Sequence, residues 1–399
     1  MVRCDEKLKK FMINIRRELH KNAEIGFDIP KTFAIVKTEL EKMGLTIRKC
    51  GKSGIICDIK GEKEGKTVLL RADMDALPIK EETQCSFSSK NGNMHACGHD
   101  MHTAMLLGAA FLLKDAKKDI CGTVRLMFQP AEEILMGAND MINDGALEGV
   151  DGAVMLHTMT NTPFETGTVI VPNSGVCAPA ADYFEIEVLG KGSHGAMPDS
   201  SIDPINAASH IVTALQTIHS REISMFDKAV LTIGSFNAGN GANVIPDKAV
   251  LKGTLRAFDE NCRQKIKKRM EEISKHTTAA FNARARVNFY SGCPALINNA
   301  ELINSAKKLL PQIVGEEKTL LQKDLEKENR DNRHRAAGSE DFSFVSQKVP
   351  SIILTIAAGK KEEGFEFPLH HPKVQFDEEA LNIGCEVYAN LALNLLCSI

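Results

Sequence analysis

The sequence has few aromatic residues and no long apolar run. Tryptophan is absent, tyrosine occurs three times, and aromatic residues make up 5% of the 399 positions. A ligand pocket in this chain is therefore expected to consist mainly of Phe, Leu, Ile and Met. No stretch of about eighteen apolar residues occurs, so no membrane span is expected. Residues 1–10 lack the apolar core of a secretory signal, which favours a cytoplasmic protein.

Charge of one sign is also scarce. The formal net charge is −3, and basic and acidic residues are mixed along the chain. A basic patch of the kind that binds nucleic acid or a membrane surface is therefore not expected. The eleven cysteines follow no regular framework, which predicts reduced thiols and not a disulfide scaffold. The length favours two or three domains.

Within this ordinary composition one stretch is unusual, the segment Met-His-Ala-Cys-Gly-His-Asp-Met-His at residues 94–102. Cys97 and His99 are two residues apart, so an extended segment would place both side chains on the same side. Thiolate sulfur and imidazole nitrogen suit zinc, manganese, cobalt or nickel. The alternative is a buried structural cysteine beside a histidine whose hydrogen bonds are satisfied. The segment predicts a metal site only if other parts of the chain supply further ligands.

Three predicted strands lead into residues that could complete such a site. Apolar, strand-like runs occupy residues 67–72, 123–128 and 150–156. They are followed, in turn, by Asp73 and Asp75, by Glu132 and Glu133, and by His157. Strands and helices alternate here, which predicts an α/β fold with a mainly parallel sheet covered by helices. Because open α/β sheets place chemistry at the carboxyl ends of their strands, we expect these side chains to meet along one edge.

The middle of the chain follows a different pattern. Its periodicity predicts the order β-α-β-β-α-β, a ferredoxin-like α+β arrangement. The predicted domain boundaries are therefore 1–178 and 293–399 for a catalytic domain in two parts, and 179–292 for the insert. Two Gly-rich turns of the insert carry His194 and Asn243, and Arg256 lies near the end of a strand. A single residue of this kind is more often structural, but the set suits recognition of an anion or a carbonyl.

Five motifs, taken in order, carry a resemblance to a known family. They are Arg71-Ala-Asp-Met-Asp-Ala-Leu-Pro78, His95-Ala-Cys-Gly-His-Asp-Met-His102, Phe128-Gln-Pro-Ala-Glu-Glu133, Gly192-Ser-His-Gly-Ala-Met-Pro198 and Asn243-Val-Ile-Pro246. Together they resemble the aminoacylase, hippurate hydrolase and indoleacetyl-amino-acid hydrolase family of binuclear metal amidohydrolases. The resemblance covers nearly the whole chain. It implies a zinc-peptidase-like catalytic domain interrupted by a lid domain that commonly forms a dimer.

The resemblance implies a site with two divalent metal ions, manganese, zinc, cobalt or nickel, and five ligands. One ligand would bridge the two metals, and each metal would have two further ligands. The bridge is Cys97, one pair is His99 and His157, and the other pair is Glu133 and His370. His370 is preferred to the histidine that follows it because it occupies the family's Leu-His position.

The remaining polar residues have implied roles in catalysis and substrate binding. Glu132 would be the general base that takes a proton from a metal-activated water. His194 would stabilise the tetrahedral oxyanion, and Asn243 and Arg256 would hold the α-carboxylate of the substrate. The aspartates of the motifs would orient histidines, and they are Asp73, Asp75 and Asp100.

These roles predict hydrolysis of the amide bond of N-acyl-L-amino acids by a homodimer joined through the lid domain. A dipeptidase, or a deacetylase of a biosynthetic N-acetyl amino acid, would use the same site. Two other classes are a cysteine hydrolase that uses Cys97 with a nearby histidine, and a metal-binding protein without catalytic activity. A cysteine hydrolase would leave Glu132 and Glu133 without a role. The second would be expected to lack Glu132 or one of the ligands.

Overall fold

The computed structural model describes residues 1–328 and 338–398, and this part of the chain folds into two compact units. The first unit comprises Met1–Cys177 and residues 297–328 and 340–398. The second unit comprises Ala178–Leu296 with residues 338–339. The second unit therefore interrupts the first in the sequence, and each has its own hydrophobic core.

The described part of the chain contains sixteen strands and ten α-helices. The strands are β1 (Ile47–Cys50), β2 (Gly54–Lys60), β3 (Lys63–Asp73), β4 (Cys121–Gln129), β5 (Gly152–Met159), β6 (Val169–Val171), β7 (Gly175–Ala178), β8 (Ala180–Leu189), β9 (Ser193–His194), β10 (Ala229–Ala238), β11 (Val244–Ile245), β12 (Lys248–Ala257), β13 (Arg284–Cys293), β14 (Leu296–Asn298), β15 (Thr319–Leu321) and β16 (Ser351–Ala357). The α-helices are α1 (Glu6–Lys21), α2 (Pro30–Lys42), α3 (His99–Asp115), α4 (Gly137–Asn143), α5 (Pro204–Thr217), α6 (Glu260–Ala279), α7 (Ala300–Val314), α8 (Gln322–Glu328), α9 (Ser343–Ser346) and α10 (Ala380–Ser398).

An eight-stranded sheet forms the centre of the first unit, in the order β1-β2-β4-β3-β5-β16-β6-β15. The neighbouring strands β4, β3, β5 and β16 run parallel, whereas β1, β2 and the β16–β6 pair add antiparallel contacts. Asp73 at the end of β3 is in register with Gln129 at the end of β4. The segments that follow these two strands therefore start side by side at one edge of the sheet, as the sequence predicted.

Two apolar helices, α3 and α10, pack against each other over this sheet. By length and composition α10 could cross a membrane, but 72% of the segment Ala380–Cys397 is buried inside the protein. The Tyr388 hydroxyl on α10 donates to the carbonyl of Arg71 (2.7 Å) and accepts from the N–H of Leu156 (2.9 Å). These bonds tie α10 to the central strands, so we interpret it as a core helix.

The second unit contains a four-stranded antiparallel sheet in the order β10-β12-β8-β13. Helices α5 and α6 pack against it through buried apolar residues such as Ile211, Ile266 and Phe184. This is the β-α-β-β-α-β arrangement that the sequence predicted. The short strands β9 and β11 pair beside it, and β7 pairs with β14 in a separate two-stranded sheet.

Candidate metal centre

Five side chains that are far apart in the sequence meet beyond the carboxyl ends of the parallel strands. The ligand atoms of Cys97, His99 and His157 lie within 4.8 Å of one another, and so do those of Cys97, Glu133 and His370. Cys97 Sγ is 3.6 Å from His157 Nε2, and His370 Nε2 is 3.7 Å from Glu133 Oε1. One thiol is thus common to two groups of three ligands.

Gly98 makes the close spacing of Cys97 and His99 possible. Its φ of +86° is in the left-handed region, and it caps the N-terminus of α3. A Cβ at this position would lie 2.5 Å from Thr158 Oγ1. Only glycine fits both the conformation and the space. This turn sets the thiol and the imidazole on either side of the helix start.

Glu132 and Glu133 lie on a loop between β4 and α4. The Asp75 carboxylate accepts hydrogen bonds from the N–H groups of Glu132 (2.9 Å) and Glu133 (3.3 Å). Ala131 and Leu135 on the same loop have φ values of +59° and +55°. Non-glycine residues rarely adopt this conformation, and it persists where the surroundings impose it, often at functional sites.

The remaining ligands come from β5 and from the segment before α10. His157 lies inside β5 and not at its end, because the strand continues for two residues to Met159. His370 also has a positive φ, of +66°, and its N–H donates to the carbonyl of Ala96 (2.9 Å). The neighbouring His371 instead stacks its ring on Phe367 at 4.4 Å.

The hydrogen bonds of the histidines leave the ring nitrogens that face the site available. His99 Nδ1 lies 2.8 Å from the carbonyl of Asp75, and His157 Nδ1 lies 2.6 Å from the carbonyl of Thr158. A carbonyl only accepts, so both Nδ1 atoms carry a proton, and each ring in its neutral form presents the lone pair of Nε2 to the site. His99 Nε2 and Glu133 Oε1 are buried without a hydrogen-bond partner. Two buried, unpartnered acceptor atoms are what a bound cation would satisfy.

The electrostatics of the site also favour a cation. Burial disfavours a charge on His99, yet the nearby Asp73 carboxylate raises the pKa of that imidazole well above its ordinary value. Positive charge is therefore stabilised at this position. Burial raises the pKa of Glu132 and of Glu133. Neighbouring carboxylates raise both values further. The set of one thiol, three imidazoles and one carboxylate suits divalent transition metals such as zinc.

The comparison with protein families agrees with this geometry. A family model described as "Peptidase family M20/M25/M40" matches residues 69–394. The chain belongs to this family. The resemblance that the sequence motifs carried is thereby confirmed.

Relatives of this M20-family chain are similar over nearly its whole length. N-acetyl-L-cysteine deacetylase of Bacillus subtilis (strain 168) is 39% identical over 380 residues, which are 94% of this chain and 85% of the relative. Hippurate hydrolase of Campylobacter jejuni is 36% identical over 385 residues, 96% of each chain. The crystal structure of the Bacillus subtilis YXEP protein, described as a dinuclear metal-binding peptidase of the M20 family, has a TM-score of 0.80. It is 33% identical and covers 99% of this chain and 100% of its own, which confirms the predicted fold class.

The three aspartates of the M20 motifs contact three different histidines. Asp75 lies beside His99, with its Oδ1 3.6 Å from Nδ1. Asp73 Oδ1 accepts from His102 Nδ1 (2.6 Å), and burial lowers the pKa of His102 to about 4. Asp100 bonds His20, which belongs to neither ligand group (2.8 Å).

The predicted substrate-binding residues lie in the second unit. His194 on β9 pairs with Val244 on β11, and the N–H of Gly195 donates to the carbonyl of Asn243 (2.8 Å). His194 and Asn243 are thus held on neighbouring turns, and both are exposed. Arg256 lies on β12, where its guanidinium stands over the Tyr183 ring at 5.4 Å.

One buried polar network next to Glu132 was not predicted from the sequence. The fully buried Arg71 guanidinium contacts Asp73 (2.6 Å), Gln129 (2.9 Å) and Asp341 (2.8 Å). It also contacts Glu340 at 3.1 Å and the sulfur of Met155 at 3.0 Å. None of the five sequence motifs includes the segment Gly-Ser-Glu-Asp-Phe at 338–342. Asp341 is 270 residues from Arg71 along the chain, so no local pattern signals this contact.

Proposed function

We propose that the protein hydrolyses the amide bond of N-acyl-L-amino acids, releasing a carboxylate and an amino acid. The observation that carries this proposal is the thiol of Cys97, which is common to two groups of metal ligands, with Glu132 beside them. His99 Nε2 lies 4.0 Å from Glu132 Oε2. The names of the similar deacetylase and hippurate hydrolase support the same reaction class.

Each of two metal ions would be held by Cys97 and by two further ligands. The first ion would take His99 and His157, and the second would take Glu133 and His370. When bound, two such ions would lower the pKa of a water molecule and polarise the amide carbonyl. The proposed ions are manganese, zinc, cobalt or nickel, which all accept nitrogen and sulfur ligands.

Glu132 is the proton acceptor of this proposal. Its carboxylate is 6% exposed, and burial together with Glu340, Asp341 and Glu133 raises its pKa well above the ordinary value. A carboxylate with a raised pKa takes the proton of the attacking water and passes it to the leaving amine. The two backbone bonds to Asp75 keep this side chain next to the ligands.

The second unit supplies the substrate-binding groups in this proposal. His194 stabilises the oxyanion, and Asn243 and Arg256 hold the α-carboxylate. A histidine on a short paired turn is a rigid hydrogen-bond donor, which oxyanion stabilisation requires. Dipeptides remain substrates to be tested against the same site, because a peptide bond is also an amide beside a carboxylate.

We also infer that the protein is a homodimer formed through β10. This strand is at the edge of its sheet, and within the described residues only β12 pairs with it. Val230 and Phe236 on β10 are 58% and 42% exposed, and Met225 and Phe226 just before it are 89% and 84% exposed. An apolar, unpaired edge strand is a template for pairing with a second copy.

A cytoplasmic location fits the cysteines. Among the described residues none of the eleven forms a disulfide bond, although several are partly exposed. Free thiols at this density are typical of a reducing compartment.

One assay tests the proposed reaction. The metals are removed with a chelator, manganese, cobalt, zinc or nickel is restored singly, and acetyl-, benzoyl- and longer-acyl amino acids are compared with dipeptides. We expect activity only with metal and a preference for N-acyl amino acids. Glu132→Gln should lower kcat by about 10²–10⁴-fold while the metals stay bound. The exposed Glu148→Gln is the control and should be unchanged. Near-parental turnover of Glu132→Gln, or activity that survives full metal removal, would exclude this reaction mechanism.

A further inference from the structure

The buried carboxylate of Asp341 has no place in the proposed reaction, yet it contacts the loop that carries Glu132. Its two oxygens accept from Gln129 Nε2 (2.7 and 2.9 Å), from Arg71 NH2 (2.8 Å) and from the N–H of Ala138 (2.9 Å). All of these groups are donors, and Asp341 is fully buried. The carboxylate is therefore saturated with hydrogen bonds and is paired with a guanidinium.

The partners of Asp341 bracket one short loop. Gln129 is the last residue of β4, and Ala138 is the second residue of α4. Between them lie Glu132 and Glu133. The two ends of the loop also touch each other, because a Cβ on Gly137 would lie 1.6 Å from the carbonyl oxygen of Pro130.

The loop needs an external restraint to keep its shape. Ala131 and Leu135 hold left-handed conformations that relax readily in a free loop. Asp75 restrains the middle of the loop through the N–H groups of Glu132 and Glu133. Asp341 restrains its ends.

Asp341 also reaches the Glu132 side chain directly. Its backbone N–H points to Glu132 Oε1 at 3.4 Å, slightly longer than an ordinary N–H···O hydrogen bond and therefore a weak contact. The same residue thus holds the backbone of the loop with its side chain and faces the Glu132 carboxylate with its N–H. No other side chain in the described part of the chain has hydrogen bonds to both Gln129 and Ala138.

We propose that Asp341 is a positioning residue for Glu132. Its carboxylate, paired with Arg71, closes the loop between Gln129 and Ala138 and aims Glu132 at the site of Cys97 and His99. This inference rests on the proposed role of Glu132 as the proton acceptor. A displacement of about 1 Å at a reacting group can lower a rate by about 10²-fold.

Three single variants test the inference at saturating metal. Asp341→Ala and Asp341→Asn should lower kcat by about 10²-fold and about 10-fold, respectively, with a much smaller change in KM. Metal content and the melting temperature are measured on the same samples. Asp182→Asn is the matched control, because Asp182 is also a buried aspartate bonded to an arginine, Arg263 at 2.6 Å, but lies in the second unit. It should lose stability without loss of kcat.

A double variant separates positioning from a general loss of stability. Gln129→Glu combined with Asp341→Asn exchanges the amide and the carboxylate across the same contact and keeps the charge beside Arg71. We expect the kcat of this double variant to be at least about 10-fold higher than that of Gln129→Glu alone, because the hydrogen bond between the two side chains is restored.

The outcomes distinguish this inference from the proposed function. Parental kcat in both Asp341 variants, or a kcat loss that is fully explained by a loss of bound metal, overturns the positioning role. The positioning role is also overturned if the Asp341 variants lose no more kcat than Asp182→Asn at an equal loss of melting temperature. It is overturned as well if the double variant shows no recovery of kcat. If Glu132→Gln is inactive in the same assay, the proposed function stands even then. If Glu132→Gln is active, the proposed function itself fails.

Discussion

The sulfur of Cys97 lies 3.6 Å from Nε2 of His157, 60 residues further along the chain. The same sulfur belongs to a second group of ligands with Glu133 and His370. One atom thus connects the two halves of the candidate metal centre.

Replacement of Cys97 should therefore affect both metals. In Cys97→Ser we expect the content of both ions to fall after dialysis, whereas His370→Ala should release mainly one, because only Cys97 belongs to both groups. Metal content measured by elemental mass spectrometry checks this. Cys262→Ser, a buried thiol of the second unit, is the control. Two ions bound at parental affinity in Cys97→Ser would rule out the thiolate bridge.

Removal of the His194 imidazole should slow turnover without loss of stability. The residue is exposed, so its contribution to the folded state is small. Loss of one oxyanion donor lowers kcat by about 10²–10³-fold, and we expect His194→Ala to fall in this range. Steady-state kinetics and thermal melting are the measurements. His276→Ala, an exposed histidine on α6, should keep both values, and parental kcat in His194→Ala would contradict the role.

Charged substitutions on β10 should produce monomers. Val230→Lys with Phe236→Lys places two cations on the apolar edge, which opposes strand pairing between copies. Sedimentation velocity should show half the mass of the parent protein. Phe111→Lys, on a residue 38% exposed in the first unit, is the control and should stay dimeric. A parent protein that is already monomeric would disprove the β10 interface.

The steric role of Gly98 can be separated from its conformation by comparison with Gly92. Both residues have φ near +87°, at +86° and +89°, but only Gly98 has neighbours that a Cβ would strike. Gly92→Ala should cost about 1 kcal/mol of unfolding free energy from conformation alone. Gly98→Ala should cost more and should also weaken metal binding, because the clash with Thr158 displaces Cys97 and His99. Denaturant titration and metal content test this, and equal effects of the two substitutions would contradict it.

Stability should depend on the charge of His20. Burial and the nearby Arg16 oppose a positive charge on His20. Asp100 at 2.8 Å and Glu81 at 3.2 Å outweigh them and raise the pKa of His20 to about 9. The neighbouring His95 is neutral. Because the folded pKa is above the ordinary value of 6.5, the added stability is complete below pH 6.5 and is lost as the pH rises through 9. His20→Gln should remove a difference on the order of 3 kcal/mol between these limits. Urea unfolding across this range checks it, with the exposed His210→Gln as control; an unchanged pH slope would contradict it.

Much of the fold was predictable because its signals are periodic and local. The strand-like runs at 67–72, 123–128 and 150–156 correspond to β3, β4 and β5, and the insert has the predicted order of strands and helices. The short strands β1, β6 and β15 were missed, since three or four residues are too few to show a period. Part of the charged run at 316–335 forms β15 and α8, and its later part lies outside the described residues.

The candidate site was predictable in its residue types and less so in its contacts. The family, the reaction class and the need for metal follow from motifs that the comparisons confirm. His95 and His102 belong to the same motif but are not among the five proposed ligands. His102 instead bonds Asp73 and Thr158, and His95 is buried outside both ligand groups.

The sequence by itself determined the strand and helix patterns of the two units, the family and the residue types of the proposed ligands, because these depend on spacing within short segments. Only the tertiary structure decided which atoms meet. Arg71 and Asp341 are 270 residues apart and 2.8 Å from each other, and no local pattern encodes that contact. It depends on the order of the strands and on the packing behind them, which brings the segment at 340–342 beside the end of β3. The packing of distant segments likewise makes the sulfur of Cys97, a residue of a local motif, the atom common to both groups of ligands.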